Sequence, residues 1–381
     1  MSPTVPFVSP PKLLGPFSAL EDCDFSFVGE GASNVVFEVR VPPSKRGSIS
    51  SKLFEGTGNL LRVPKAGTKA YSYEDLHAYW ETVVKPLFEP QNLVQHQLIL
   101  LGGEAVIRRL NSILEKEDAT RRADFRGSRV AMAKYGMLIE DMRQRHPDDL
   151  TFEFKPKWLA QSPSAPPTAT RCRNCAREAL KRHANPDRQP KSSAILCPLD
   201  FRTCATSPIS LANVLNHLTP RVHKPTANAH PPSVSLNGHS PASPRPTPSQ
   251  SARLRHWLQT NTLLPRLRQA QLANDGLGPL GADASDPHFQ LAMTLRDCTC
   301  FVRVPANPEL PIEAKLADLD KKNWMAKMEY WRAMEQKLIE GGYYEGKEVP
   351  RMETGCVLER ERGWMKGIGE QVKEVKDDDG V

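Results

Sequence analysis

The chain has 381 residues, of which 25% are charged and 39% hydrophobic, and its formal net charge is +7. That balance belongs to a globular chain long enough for two domains or two lobes, and it argues against a disordered, fibrous or membrane-embedded protein. The basic excess favours an anionic partner without choosing among nucleic acid, acidic lipid and small polyphosphates.

The first 20 residues are Pro-rich and show no basic segment followed by an apolar core, so they read as a disordered tail rather than a secretory leader. No run of about 18 apolar residues follows anywhere, so no membrane span is expected. The eight cysteines are scattered, and are expected to be reduced thiols in an intracellular protein.

Residues 24–40, DFSFVGEGASNVVFEVR, read as two strands around the turn Gly29, Glu30, Gly31, Ala32, Ser33 and Asn34. Glycines permit positive φ and close approach of a ligand to the amides, which suits a lid over nucleotide phosphates. A plain hairpin is the commoner reading of a lone GxG, and no Gly-Lys-Ser/Thr makes this a Walker A loop. Residues 59–65 read as the next strand, where Arg62 and Lys65 compete to be the phosphate-contacting side chain. Residues 73–90 have helical periodicity through Leu76, Tyr79, Trp80, Val83 and Val84. A strand or short helix is expected at Leu98–Leu101, a helix at Glu104–Lys116, and a strand at Tyr135–Ile139 running into Glu140, Asp141 and Met142.

The stretch Thr151–Trp158, TFEFKPKW, alternates aromatic and charged residues and reads as one strand. Phe152, Phe154 and Trp158 then face the core, while Glu153, Lys155 and Lys157 share the other face. A protected sheet edge would look the same. Residues 170–183 read as a helix on which Arg173, Arg177 and Lys181 form one row spanning about 12 Å. Such a row repels itself unless it meets an anion, and paired phosphates or a nucleic-acid backbone would both serve. Cys172 and Cys175 form a CxxC, and with Cys197 and Cys204 a zinc site can be drawn. The second pair lacks CxxC spacing, so helical core packing is preferred to zinc.

A short helix is expected over 208–217, then a disordered Pro/Ser-rich insertion over about 218–252, then a helix over 252–272 broken at Pro265. Residues 289–304 read as a helix passing into a strand with Asp297 at the junction, and 312–322 as a strand ending in Asp318, Leu319 and Asp320. Either aspartate could be a plain turn residue, but an aspartate closing such a strand is also where kinases hold Mg²⁺. An amphipathic helix with Trp324, Met328, Trp331, Met334 and Leu338 as its core stripe covers 321–339, and residues 351–381 read as a tail.

Taken in order, GEGASNVVFEV, LLRVPK, FEFKPKW, CRNCAREALK, CPLDF, MTLRDCTCF and ADLDKK resemble the inositol-pentakisphosphate 2-kinase family, in its fungal form, from Gly29 to about Tyr344. The resemblance implies an α+β, two-lobed kinase-like fold. An N-lobe would occupy 21–142 and a C-lobe 143–350. It implies transfer of the γ-phosphate of ATP to the 2-hydroxyl of inositol 1,3,4,5,6-pentakisphosphate, with Mg²⁺. It would put Gly29, Glu30, Gly31, Ala32, Ser33, Asn34 and Arg62 on the ATP phosphates, and Glu140 and Met142 at the adenine hinge. Lys155 would meet the transferred phosphate. Lys157, Arg173, Arg177, Lys181, Lys322 and Tyr330 would hold the inositide. Asp297 would be the catalytic aspartate near the metal, and Asp318 a metal ligand. Where this chain has Arg177, family members often have histidine, and the family's Asn/Arg segment after CPLDF has no evident equivalent here. The zinc ligands that some plant members carry in an insertion are not apparent either. A monomer in the nucleus or cytoplasm is expected, with nucleic acid not a partner. The competing readings are a non-catalytic inositide- or nucleic-acid-binding module, and a kinase for another acceptor.

Overall fold

The computed structural model describes residues 20–42, 44, 59–186, 196–221, 245–283, 285–325 and 327–362. Residues 1–19 of the expected N-terminal tail, most of the insertion (222–244) and the end of the C-terminal tail lie outside them, whereas Leu20, expected in the tail, is buried. The chain divides into two units, 1–142 and 143–381. The fold is α+β. Among the described residues no helix is long and apolar enough to cross a membrane.

In the first unit, β1 (Asp24–Glu30), β2 (Asn34–Arg40), β3 (Leu60–Pro64), β4 (His96–Leu100) and β5 (Tyr135–Ile139) form one antiparallel sheet in the order β1-β2-β3-β5-β4. Period-2 alternation gives it two apolar faces. Val35, Phe37, Val39, Leu61, Val63 and Leu138 pack against Val106, Ile107, Leu110 and Leu114 of helix α2 (Glu104–Glu117). Leu98, Tyr135 and Met137 pack against Tyr73 and Leu76 of helix α1 (Tyr73–Tyr79). Each of the larger buried side chains contributes about 1.5–3 kcal/mol through area removed from water. The helix expected over 73–90 is α-helical only to Tyr79. It widens into a π turn at Trp80–Val84 and tightens into a 3₁₀ turn at Lys85–Leu87, whose middle residue, Pro86, has no N–H to donate to a helical ladder.

The second unit has a three-stranded antiparallel sheet, β6 (Leu150–Phe154), β7 (Thr299–Val304) and β8 (Glu313–Ala317), with β7 in the middle. Its helices are α3 (Arg173–Ala184), α4 (Asp200–Thr203), α5 (Pro208–His217), α6 (Pro248–Thr260), α7 (Leu263–Ala273), α8 (Gly278–Gly281), α9 (Pro287–Leu295) and α10 (Met328–Glu340). Phe154 pairs with Cys300, and Thr299 pairs with Ala317. This register brings the residues after β6, before β7 and after β8 out at one end of the sheet. Helices α3 and α10 pack through Ala176, Ala179, Leu180 and Leu338, and Trp158 sits in a second cluster with Phe289, Met293, Met328 and Trp331.

Several sequence expectations need correction. Strand β6 stops at Phe154, so Lys155 and Lys157 are not strand residues. Pro156 has no N–H for a ladder, and Lys157 takes a left-handed φ of 57°. Phe154, expected in the core, is only half-buried and stacks on Phe201. The insertion is shorter than expected, because Thr247 and Gln250 form a capping box that starts α6 at Pro248. The helical break falls at Asn261–Thr262, and Pro265 lies in the first turn of α7, where its missing N–H costs nothing. Helix α10 starts at Met328 rather than 321, which leaves Lys322 and Trp324 in the preceding loop. Residues 351–362 are no free tail, since Cys356 and Val357 are buried.

Candidate functional site

The end of the three-stranded sheet where β6 and β8 leave and β7 begins gathers three lysines and two aspartates. Lys155 Nζ donates to Asp318 Oδ2 at 2.8 Å and to the Asp297 carbonyl at 2.5 Å. Lys157 Nζ donates to Asp297 Oδ1 at 3.0 Å, and Lys322 Nζ to Asp297 Oδ2 at 3.2 Å. The expected strand geometry was wrong, yet both lysines reach the same carboxylate, because the turn at Pro156 replaces the alternation. Asp318, like Lys157, takes a left-handed φ, at 56°. Lys157 and Asp318 are thus the two non-glycine residues with left-handed φ among the described residues, and both belong to this cluster.

The cluster is charged and accessible. The side chains of Asp297 and Asp318 are 48% and 43% exposed, those of Lys155 and Lys157 37% and 34%, and that of Lys322 21%. Burial by itself would push the Asp297 carboxyl up. The Lys322, Lys157 and Lys155 ammoniums outweigh it and hold the group well below the usual carboxylate range. Asp297 is therefore an anion at neutral pH, suited to accept and orient a hydroxyl proton. Burial disfavours the Lys322 ammonium, but Asp318 and Asp297 reverse that and raise its pKa.

The frame beneath this cluster was not foreseen. Arg296 and Arg173 both lie over the Trp158 ring, at 3.5 and 4.5 Å from its centroid. Arg296 also pairs with buried Asp275. Trp158 follows Lys157 and Arg296 precedes Asp297, so this stack fixes the two segments together. Gln271, buried on α7, adds three hydrogen bonds. Its Nε2 donates to the carbonyls of Lys157 (2.8 Å) and Leu295 (3.2 Å), and its Oε1 accepts from Leu159 N–H (3.0 Å).

The basic row on α3 is corrected in one member. Arg173 is buried, with Nε 2.5 Å from Glu335 Oε2, so it braces α3 against α10 instead of facing solvent. Arg177 and Tyr330 are brought together, with Arg177 Nη2 2.9 Å from Tyr330 Oη, and Tyr330 is exposed. Lys181 is exposed and pairs with Glu178.

In the first unit the turn is shorter than expected, since only residues 31–33 connect β1 and β2 while Gly29 and Glu30 end β1 and Asn34 opens β2, and neither Gly29 nor Gly31 takes positive φ. A Cβ at either would meet nothing within 4 Å, so the space beside the turn is open. Glu30 is not part of an open lid. It is buried against Lys65 (2.6 Å) and Arg121 (2.7 Å). That pairing occupies the Lys65 ammonium. Lys65 is internal, whereas Arg62 lies over the Tyr73 ring and beside the Asn34 amide, 2.6 Å from it. At the end of β5, the Glu140 N–H is taken by the Gln95 carbonyl at 2.8 Å, and Met142 is buried.

The cysteines are also regrouped. Cys204 donates its thiol to the Asp200 carbonyl and stands apart, while Cys172, Cys175, Cys197 and Cys356 converge, all buried.

A family model described as inositol-pentakisphosphate 2-kinase matches residues 27–337. An inositol-pentakisphosphate 2-kinase of Yarrowia lipolytica (strain CLIB 122 / E 150) is 31% identical over 214 residues. The match covers 55% of this chain and 58% of that relative, so the chain spans less than two thirds of the relative's length.

Proposed function

This chain belongs to the inositol-pentakisphosphate 2-kinase family, and from that premise we propose that it transfers the γ-phosphate of ATP to the 2-hydroxyl of inositol 1,3,4,5,6-pentakisphosphate. The observation that carries the reading is the convergence of Lys155, Lys157 and Lys322 on Asp297, with Asp318 joined through Lys155. A module that only bound anions would gain nothing from two accessible carboxylates among its cations. A phosphoryl-transfer site needs both, since the cations bind phosphate and a carboxylate must orient the nucleophile.

In this reading Asp297 accepts a hydrogen bond from the 2-hydroxyl and aims its oxygen at the γ-phosphorus. The new O–P bond forms as the bond to the β,γ-bridging oxygen breaks, and ADP leaves with that electron pair. The hydroxyl proton departs toward Asp297, whose carboxyl becomes a better acceptor once the three lysines turn to phosphate oxygens. Lys155 stabilises the transferred phosphate. Lys157 and Lys322 hold the acceptor, and Arg177, Lys181 and Tyr330 extend its site. Arg173 acts through α3 rather than by contact. In the first unit the backbone of 29–34 and Arg62 serve the nucleotide phosphates, and the segment from Glu140 to Met142 serves adenine.

The paired carboxylates of Asp297 and Asp318 are hard oxygen donors, already bridged by the Lys155 ammonium, and this donor set fits Mg²⁺. Bound there, Mg²⁺ would offset charge on the phosphates during transfer.

The test is incubation with labelled ATP and a panel of inositol phosphates, resolved by anion-exchange chromatography. The expected result is label in inositol hexakisphosphate, formed from the 1,3,4,5,6-pentakisphosphate alone. Absence of turnover with every inositol phosphate would sink the proposal.

A further inference from the structure

We propose that Cys172, Cys175, Cys197 and Cys356 form a structural zinc site that pins the C-terminal segment to the start of α3. Their four Sγ atoms lie within 4.8 Å of one another, and all four residues are buried. Cys172 Sγ is 3.7 Å from Cys197 Sγ, which is 3.8 Å from Cys356 Sγ. A tetrahedron of sulfurs about 2.3 Å from a central zinc has edges of about 3.8 Å. A disulfide would bring two of these sulfurs to about 2.05 Å, and a multi-iron cluster would hold them farther apart than they are. Four thiolates in a closed tetrahedron select zinc among the abundant divalent ions.

Ordinary thiol packing in this molecule looks different. The buried Cys204 and Cys298 each donate S–H to a carbonyl four or three residues back, Asp200 and Leu295. The four grouped sulfurs instead point at a common centre from three separate segments. Cys172 and Cys175 come from the N-cap and first turn of α3, Cys197 from the turn before α4, and Cys356 from the turn leading into the helix at 357–362. The Cys172 N–H donates to Cys356 Sγ at 3.2 Å, a backbone bond that orients this sulfur toward the other three. Leu199 and Val357 close the site with apolar surface.

The fourth ligand lies 159 residues beyond the third and outside the stretch matched by the family model. The adjacent Arg171 braces the same segment independently, through Glu348 (2.6 Å), Glu359 (2.9 Å) and the Met352 carbonyl (2.6 Å). Two successive residues at the entrance to α3 thus hold residues 348–359, one by ion pairs and the other through metal. The consequence is a fixed first turn for the helix that carries Arg177.

Elemental analysis of the full chain, purified under reducing conditions, tests this. About one zinc per chain is expected, retained in Cys204→Ser and lost in Cys356→Ser and Cys197→Ser. Replacing the metal in the unsubstituted chain with Co²⁺ should give the intense sulfur-to-metal charge-transfer band and visible bands of tetrahedral tetrathiolate cobalt. That measurement decides the matter even if a variant does not fold. Chelation should also open the bonds after Arg360 and Arg362 to trypsin. Substoichiometric zinc in the unsubstituted chain after equilibration with Zn²⁺, full zinc in Cys356→Ser, or cobalt without thiolate bands would each overturn the proposal.

Discussion

Glu335 and Asp297 are both carboxylates with cationic partners in the second unit, yet they are built for opposite tasks. Glu335 is fully buried and receives Arg173 at 2.5 Å, Tyr344 Oη at 2.5 Å and Ser162 Oγ at 2.8 Å. Each oxygen has a partner, and none of the partners can turn elsewhere without leaving an uncompensated charge in a dry site. Asp297 has three ammoniums on flexible stems and is half exposed. Those lysines can exchange one anion for another at little cost, because exposed pairs are worth only about 0–1 kcal/mol. The same ion-pair chemistry therefore makes a brace when buried and a ligand-exchange surface when wet.

Substitution at the two carboxylates should separate these roles. Asp297→Asn is expected to lower kcat by about 10²–10⁴, with inositide binding by calorimetry unchanged or tighter and the urea midpoint nearly unmoved. Turnover at the unsubstituted rate would remove Asp297 from the chemistry. Glu335→Gln should do the reverse. It leaves Arg173 buried without its counter-charge and should cost about 3–5 kcal/mol of stability, read as a fall in the urea midpoint at constant m. An unmoved midpoint would break the comparison. Between these, Arg177→Ala should raise the inositide KM about tenfold, or about 1.4 kcal/mol, and leave the ATP KM alone. A larger effect on ATP would transfer α3 to the nucleotide.

Acid provides a gentler probe. The folded Asp297 carboxyl titrates below its unfolded value of 3.8. Its ion pairs therefore contribute fully above about pH 4, and the contribution fades as pH falls toward the lower folded value. The stability difference between the unsubstituted chain and Asp297→Asn, at most about 1 kcal/mol for so exposed a group, should thus shrink below pH 4. A difference that grew in acid would contradict the assignment.

Some of this was legible in the residues alone. The strand Tyr135–Ile139 and the helix Pro208–His217 were expected with the bounds they have, because apolar pattern and flanking Pro or polar residues agree there. Asp297 was expected at a helix-to-strand junction and stands at one. Lys155 and Lys157 were placed on a strand because alternation outweighed Pro156 in the reading, whereas a proline's missing donor decides the backbone. Arg173 was put on an anion-binding row with Arg177 and Lys181 because periodicity says which residues share a helix face, not what that face meets. Its partner, Glu335, is 162 residues away. Gln271 gave no signal, since a glutamine in a polar helical pattern looks like surface until its carbonyl partners are known. Cys356 failed for the same reason of separation, and Cys204 was preferred because it was nearer in the chain.

The smallest effect concerns backbone conformation. Lys157 and Asp318 hold φ of 57° and 56°, in the left-handed region that disfavours side chains by roughly 1–2 kcal/mol. Glu335 and Arg173 carry no such strain, so of the two clusters only the wet one is held against a local backbone preference. Lys157→Ala removes the ammonium and keeps the strain, while Lys157→Gly removes both. The glycine variant should be more stable than the alanine variant by about 1 kcal/mol, and the two should be equally impaired with inositide. Equal midpoints for the two variants would mean that the turn tolerates its conformation without cost. A glycine variant that is more stable than the unsubstituted chain, yet slower, would show that stability has been given up to aim Lys157 at Asp297.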